Sequence, residues 1–398
     1  MIIIYSFFYT VFLFIYIPFF ILTNRKKGYS VDIKERFVLY TDNSEKNTLW
    51  FHCASVGELN VAYPIVERLK DRYEILITVS SPRGKSFALE KYPFAKVRSL
   101  PFDIPFLMKR FLNIYRPLSL IIVEGEFWPN LIFETSKKIP VMSVNTRISP
   151  SSFVFYKRYK KFFSSVLNSI SRFFVRSEKD LYHLGFFVQK DKIKLCGDLK
   201  FVSSSNKKDV YLDKKGKKVI VAGSTHDPEE KVLINIYKNL RLKYPDLRLI
   251  IAPRHIERID QIKGILKEEG LTYSFRTETE ELDKDVYIVD TVGELSGIYK
   301  YADVVFVGGT IAPIGGHNIL EPVSEGKPVV IGNHYEKIED LYNFLKNFRI
   351  VFSVDNGREM EKIIDKLLDE NFKPDFDISA FQRRILNCYI NGIKEFLD

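Results

Sequence analysis

Short apolar runs recur along this chain with helix-patterned stretches between them, and that alternation restricts the fold more than any other feature. Residues 49–53, 75–79, 118–123 and 141–144 read as strands, and after a pause the series resumes at 219–222, 247–252, 286–289, 304–307 and 329–331. Near-continuous Val, Ile and Leu is what a strand buried on both faces needs. Strands alternating with helices then predict parallel sheets covered by crossover helices. The pause, VSSSNKKDVYLDKKGK at 202–217, is polar and short of core residues, and reads as a linker. At 398 residues the chain also exceeds a comfortable single core. The predicted organisation is a doubly wound α/β domain over 23–201, the linker over 202–217, a second such domain over 218–377, and a helical stretch at 378–398 that packs back on the first domain. Ligands of such sheets bind beyond the carboxyl ends of the strands, so two facing domains would enclose a cleft.

Ahead of the first domain, MIIIYSFFYTVFLFIYIPFFIL at 1–22 carries no charge and is long enough to cross a bilayer. It lacks the basic start and small-residue cleavage site of a signal peptide, so it reads as a retained anchor, either spanning the membrane or lying flat in it. Arg25, Lys26 and Lys27 follow at once, and positive charge beside a span stays cytoplasmic, which puts the bulk of the chain on that side. Part of the net charge of +10 is clustered, with Lys157, Arg158, Lys160 and Lys161 interleaved with Tyr156, Tyr159, Phe162 and Phe163. This composition suits an anionic membrane surface, where each cation contributes about 1 kcal/mol. No nucleic-acid module or zinc-finger spacing accompanies it, so nucleic acid is not an expected partner. Cys53, Cys196 and Cys388 are too few and too scattered for a disulfide framework or a metal knuckle, and fit a reducing compartment.

The polar clusters fall just after predicted strands. The stretch VVFVGGTIAPIGGHNILEPVSE at 304–325 places two glycine pairs at a strand end and then His317, Asn318 and Glu321 at the start of an apolar helix. Glycines let the backbone approach a ligand closely, and a helix start offers free N–H groups to an anion, so a phosphorylated donor is the expected guest. Glu321, one turn in, suits paired ribose hydroxyls; its plain alternative is a first-turn residue favoured by the helix dipole. In the first half, Glu58 follows the strand TLWFHC at the start of a helix, a position that favours the ionised carboxylate a general base requires. Glu124 and Glu126 close an entirely apolar strand, where alternation would set both on one face; an ion pair with Arg147 is the structural alternative. Lys200, in GDLKF, is placed to offset negative charge on a leaving phosphate. Arg254, after LRLIIAP, has the planar fork that suits a phosphate. The histidines show no ligand spacing with a carboxylate, so no metal is expected. No phosphate-loop, serine-elbow or dinucleotide fingerprint is present, which disfavours ATP hydrolysis, serine hydrolysis and hydride transfer.

Taken in order, HCASVGE, SPRG, LPFDIP, VEGEFWPN, NTRIS, GDLKF, AGSTHDPEE, APRH, TVGEL, FVGGTIAPIGGHNILEP and GKPVVIG resemble the motifs of the 3-deoxy-D-manno-octulosonic acid (Kdo) transferases of lipopolysaccharide synthesis, over residues 1 to about 345. The resemblance implies an inverting GT-B glycosyltransferase with two Rossmann-like domains, anchored at the cytoplasmic face of the cell inner membrane. It implies transfer of Kdo from CMP-Kdo to the tetraacyl lipid A precursor, with no cofactor besides that donor. Carried over by motif, Glu58 matches the proton acceptor, and Glu124 and Lys200 match groups supporting the transition state. Pro253 and Arg254, then Gly293, Glu294 and Leu295, and finally Asn318, Ile319, Leu320 and Glu321 match the segments that hold the CMP part. Two departures stand out: Gly125 replaces the Thr usual between the two acids, and NTRIS replaces NARLS. Two competing readings remain open, another membrane-associated GT-B transferase using a different nucleotide sugar, and a catalytically silent nucleotide-binding scaffold.

Overall fold

The computed structural model describes residues 1–29, 31–41, 47–202, 209–369 and 377–397. The chain divides into two units, Met1–Ser203 with Gln382–Asp398, and Ser204–Phe381. In the first, strands β1 (Thr48–Cys53), β2 (Glu74–Val79), β3 (Lys96–Ser99), β4 (Ser119–Val123), β5 (Val141–Thr146), β6 (Arg172–Val175) and β7 (Ile193–Leu195) form one sheet. Its order is β3-β2-β1-β4-β5-β6-β7, and each neighbouring pair is parallel. Trp50 lies opposite Leu76 on one side and Leu120 on the other, and all three are fully buried. Helices cover the sheet because every parallel step needs a crossover.

The second unit repeats the plan. Strands β8 (Val219–Thr225), β9 (Arg248–Pro253), β10 (Tyr273–Phe275), β11 (Val286–Ile288), β12 (Val304–Val307), β13 (Val329–Ile331) and β14 (Val351–Ser353) run in the order β10-β11-β9-β8-β12-β13-β14. In both sheets the chain starts in the middle, builds one side and then returns to build the other, but in the second sheet β10 takes the edge first and β11 is inserted between it and β9. The switch point lies between β1 and β4 in the first unit and between β8 and β12 in the second, and ligands of such sheets collect beyond these strand ends.

The N-terminal helix, Ile2–Lys26, has the length and apolar composition of a membrane span. One of its faces is tied to the first unit. The Tyr5 hydroxyl donates to Asp103 Oδ2 at 2.9 Å, Ser6 Oγ donates to Asn130 Oδ1 at 2.9 Å, and Leu13 is buried in the unit's core. The Arg36 guanidinium lies 5.0 Å from the Phe20 ring centre. The remaining surface, including Ile3, Phe7, Phe14, Ile15 and Phe19, is exposed and apolar.

Helix Ile378–Lys394 holds to the first unit through Tyr389, whose hydroxyl donates to Gly197 O at 2.7 Å, and through Gln382, which donates to Phe201 O at 2.7 Å. Here the thiol expectation is corrected: Cys196 and Cys388 form a disulfide, with Cα atoms 5.6 Å apart, while Cys53 is free and buried. A separation of 192 residues conceals the pair in sequence; the fold brings the end of β7 onto the last helix. Of the polar stretch 202–217, residues 203–208 lie outside the described residues. Val210 and Leu212 are buried in the second unit, so two apolar residues amid the charges do core work that composition hides.

Candidate active site

At the first switch point, Ser55 caps helix Val56–Leu69 by accepting a hydrogen bond from the Glu58 amide. The Glu58 carboxylate reaches back to the Ala54 amide. This is a variant of the capping box that S-x-x-E before an apolar run encodes, with the carboxylate accepting from the amide one residue ahead of the Ser55 cap. The helix start does not keep Glu58 ionised as the sequence suggests. Burial, assisted by the charges of Glu126 and Glu124 and only partly offset by the Ala54 amide, pushes its pKa up to about 8.

The two acids after β4 do not share one face of an extended strand. β4 ends at Val123, and Glu124 takes a left-handed φ of 62° that turns the chain. The turn is fixed by its neighbour strand: the Glu124 amide donates to Val144 O at 2.9 Å and the Arg147 amide donates to Glu124 O at 3.3 Å. Gly125 is required at this point, since a Cβ there would meet Arg147 O at 2.7 Å. The Thr-to-Gly departure is thus a matter of space as well as of a missing hydroxyl. The Arg147 side chain is exposed, so its link to Glu124 runs through backbone.

The two carboxylates have different partners. Glu124 Oε1 lies 3.9 Å from Lys200 Nζ. The loop carrying Lys200 is set by Asn145, whose Oδ1 accepts from the Leu199 amide at 2.9 Å. Glu126 Oε2 accepts from Trp128 Nε1 at 2.8 Å and Ser80 Oγ at 3.3 Å, and lies 3.7 Å from His52 Nε2. Burial alone would raise the Glu126 pKa, but His52, Trp128 and Ser80 outweigh it and hold the carboxyl below its ordinary value. One acid that keeps its proton beside another that does not is the arrangement from which acid–base roles are assigned.

Below this cluster, Asp103 is buried and accepts from the Asn130 and Leu131 amides at 3.0 and 2.7 Å as well as from Tyr5. It fastens the turn after Glu126 to the N-terminal helix. Burial raises its pKa to about 6 despite these donors. Alongside, an aromatic cavity of about 510 Å³ lies between that helix, the Gly125–Pro129 turn and the helices Pro150–Arg158 and Lys160–Leu167.

In the second unit the charge reverses. His226, after β8, meets His317 with Nε2 atoms 2.8 Å apart and rings stacked at 5.1 Å, and His255 packs edge-on to His226. Burial and the neighbouring His226, Arg254, Lys337 and His255 drive the His317 pKa down to about 4. Burial is the larger cause, and the neighbouring cations add to it. Arg254, exposed at the end of β9, is held by its amide donating to Thr225 O at 3.0 Å.

Glu229 organises the glycine loop. Fully buried, it accepts from the amides of His226, Gly309, Thr310, Ile311 and Ala312 at 2.9 to 3.2 Å. Gly308 makes this possible, because a Cβ there would lie 2.3 Å from Ser224 O. The helix beyond is Leu320–Ser324, only five residues, and Asn318 Oδ1 already accepts from the Leu320 amide. The strong helix start that the apolar run suggests is therefore replaced by side-chain cations as the source of positive charge. Asn318 Nδ2 donates to Glu321 Oε1 at 3.1 Å, so these two act together. Ile319 and Leu320 are buried, which leaves them backbone contacts at most. Pro253 ends β9, and Gly293 turns the chain with φ 82° before Glu294 and Leu295. Glu294 is engaged by Arg276 Nε at 3.1 Å and by the Thr291 hydroxyl, and so shapes its loop.

The sequence places Glu229 just after a strand end and Asp103 within LPFDIP but gives neither a role, and it does not show the His52–Glu126 contact. THDPEE and LPFDIP carry the first two, and acids beside strand ends amid apolar residues are the signal that points to them.

A family model described as 3-Deoxy-D-manno-octulosonic-acid transferase (kdotransferase) matches residues 31–203. The chain is 35% identical over 354 residues to a 3-deoxy-D-manno-octulosonic acid transferase of Aquifex aeolicus, covering 88% of this chain and 94% of that one. It is 30% identical to the enzyme of that name from Haemophilus influenzae, covering 95% and 94%. A solved glycotransferase of kitacinnamycin shares the fold at a TM-score of 0.53 and 13% identity, covering 89% of this chain and all of that one, in keeping with GT-B architecture. With two long, near full-length matches to transferases of one kind, the chain belongs to the 3-deoxy-D-manno-octulosonic acid transferase family, glycosyltransferases that transfer Kdo in lipopolysaccharide biosynthesis.

Proposed function

We propose that this enzyme moves Kdo from CMP-Kdo to a hydroxyl of the tetraacyl lipid A precursor, lipid IVA, by inverting, metal-independent displacement at the cytoplasmic face of the inner membrane. The observation that carries this reading is the placement of Glu58 at the first switch point, held by the Ala54 amide and Ser55 at the start of helix Val56–Leu69, with a pKa raised to about 8, in the range that suits a general base. Glu58 takes the proton from the acceptor hydroxyl as that oxygen bonds to the anomeric carbon. The bond from this carbon to the phosphate oxygen breaks, and CMP leaves with the electron pair. A single in-line step of this kind inverts the centre.

Charge on the departing phosphate is met by Arg254 and Lys200 in place of a metal. The Glu124–Lys200 pair, at 3.9 Å, keeps the lysine in position and supplies negative charge for an oxocarbenium-like sugar. Pro253, Arg254, the 293–295 turn and the Asn318–Glu321 pair hold the CMP part, with Glu321 on the ribose. The apolar outer face of helix Ile2–Lys26 and the exposed Lys157, Arg158, Lys160 and Lys161 support an anionic membrane as the working surface.

Mass spectrometry of lipid IVA after incubation with the full chain and a CMP-Kdo supply tests the reading. One or more Kdo increments are expected, absent with Glu58→Ala. Transfer from a UDP-sugar instead would favour a different donor, and donor binding without turnover would favour the silent scaffold.

A further inference from the structure

The 510 Å³ cavity beside Glu126 has no part in the chemistry above. Its volume falls within the range of about 300–1,000 Å³ typical of small-ligand sites. Its walls are rings, chiefly Tyr5, Trp128, Phe155, Tyr156, Tyr159 and Phe162. Two polar atoms on those rings are already used, since Trp128 Nε1 donates to Glu126 and the Tyr5 hydroxyl donates to Asp103. Walls of this kind reward an apolar guest and offer few partners to a sugar.

Position narrows the guest further. Phe155 and Tyr159, 53% and 49% exposed, stand at the rim, and Val154 nearby is 68% exposed. Tyr5 belongs to the helix whose outer face is exposed and apolar, so the cavity adjoins a surface suited to lipid. Exposed Lys157, Arg158, Lys160 and Lys161 lie on the same pair of helices, next in sequence to the lining residues Tyr156, Tyr159 and Phe162, and suit phosphate on a lipid headgroup. At the inner end Glu126 lies beside the acids of the candidate active site. A guest with an anionic head, an alkyl tail and a reacting hydroxyl near the junction fits this sequence of surfaces.

We infer that the aromatic cavity between the N-terminal helix and helices Pro150–Arg158 and Lys160–Leu167 receives an acyl chain of the lipid acceptor, which deepens the proposed function and rests on its acylated acceptor. Seating one chain there fixes the lipid's depth and orientation relative to Glu58, so acylation is read at binding.

The test uses the full chain in one detergent, with Phe155→Asp as the variant because a half-exposed side chain tolerates the change. Transfer is measured to lipid IVA and to the same disaccharide bisphosphate stripped of its acyl chains. The kcat/KM ratio of acylated to stripped acceptor is expected to fall at least about tenfold in the variant, since withdrawing the methylenes of an acyl chain from water is what favours the acylated acceptor. An unchanged ratio overturns the inference. Separately, a fatty acid brominated at mid-chain is titrated against Trp128 fluorescence in wild type and variant. Quenching in the wild type that is lost in Phe155→Asp supports the cavity; no quenching in the wild type overturns it. Quenching without any transfer to lipid IVA would leave an alkyl-chain site and remove the proposed acceptor, so the two failures are distinguishable.

Discussion

The two units share a parallel doubly wound plan and differ in the side chains gathered at their strand ends. Each is a parallel sheet begun in the middle, with its polar residues gathered beyond the strands that flank the switch point. The first gathers Glu58, Glu124 and Glu126, and there a carboxyl is pushed towards holding its proton. The second gathers Arg254, Lys337 and three histidines, and there His317 is pushed towards losing one. On the proposed function, one architecture would supply a proton acceptor in one unit and a seat for an anion in the other. The difference lies in the loops, as expected where function is grafted on a shared fold.

The sharpest way to break this contrast is at Glu58. Glu58→Gln keeps the cap and the fold, and should lower kcat by about 10²–10⁴, the usual contribution of a general base, without weakening CMP binding measured by calorimetry. Glu229→Ala comes next. It strips the acceptor from five loop amides, and should lower stability in urea titration by roughly 3 kcal/mol while also weakening the donor. Arg254→Ala should raise the donor KM about 10–100-fold, the worth of a charge-assisted pair, with acceptor KM unaltered.

A smaller effect follows from proton linkage. Glu58 has a folded pKa of about 8 against an ordinary 4.5, so between these values the folded state holds a proton that the unfolded state has released. Stability conferred by wild-type Glu58 should therefore fall relative to Glu58→Gln as pH rises through that window, then level off; parallel curves would remove the shifted pKa. Smallest of all, Arg147→Ala should change stability by no more than about 0.5 kcal/mol, because its contact with Glu124 is made by backbone.

The buried central strands were legible as uninterrupted Val, Ile and Leu, and so was the doubly wound plan. The edge strands were not. Lys96–Ser99 carries two charges in four residues, and Tyr273–Phe275 and Val351–Ser353 are three residues long, too short to show a period. Motif and strand-end position marked Glu58, Glu124, Lys200 and Arg254. What sequence could not carry were effects set by tertiary surroundings: the burial that overrides the helix start at Glu58, the turn forced by Arg147 O at Gly125, and the reach of Glu229 over some eighty residues to the glycine loop. The Cys196–Cys388 pair belongs to the same class.

The most direct test is kcat/KM for Kdo transfer as a function of pH, in wild type and Glu58→Gln. The wild-type value should rise with the ionised fraction of Glu58, reach half its maximum near pH 8 and level off roughly one pH unit above that, whereas the variant should be low and flat across the same range. A variant with a near-normal rate, or one that keeps the wild-type rise, would contradict Glu58 as the base and the division of labour between the two units.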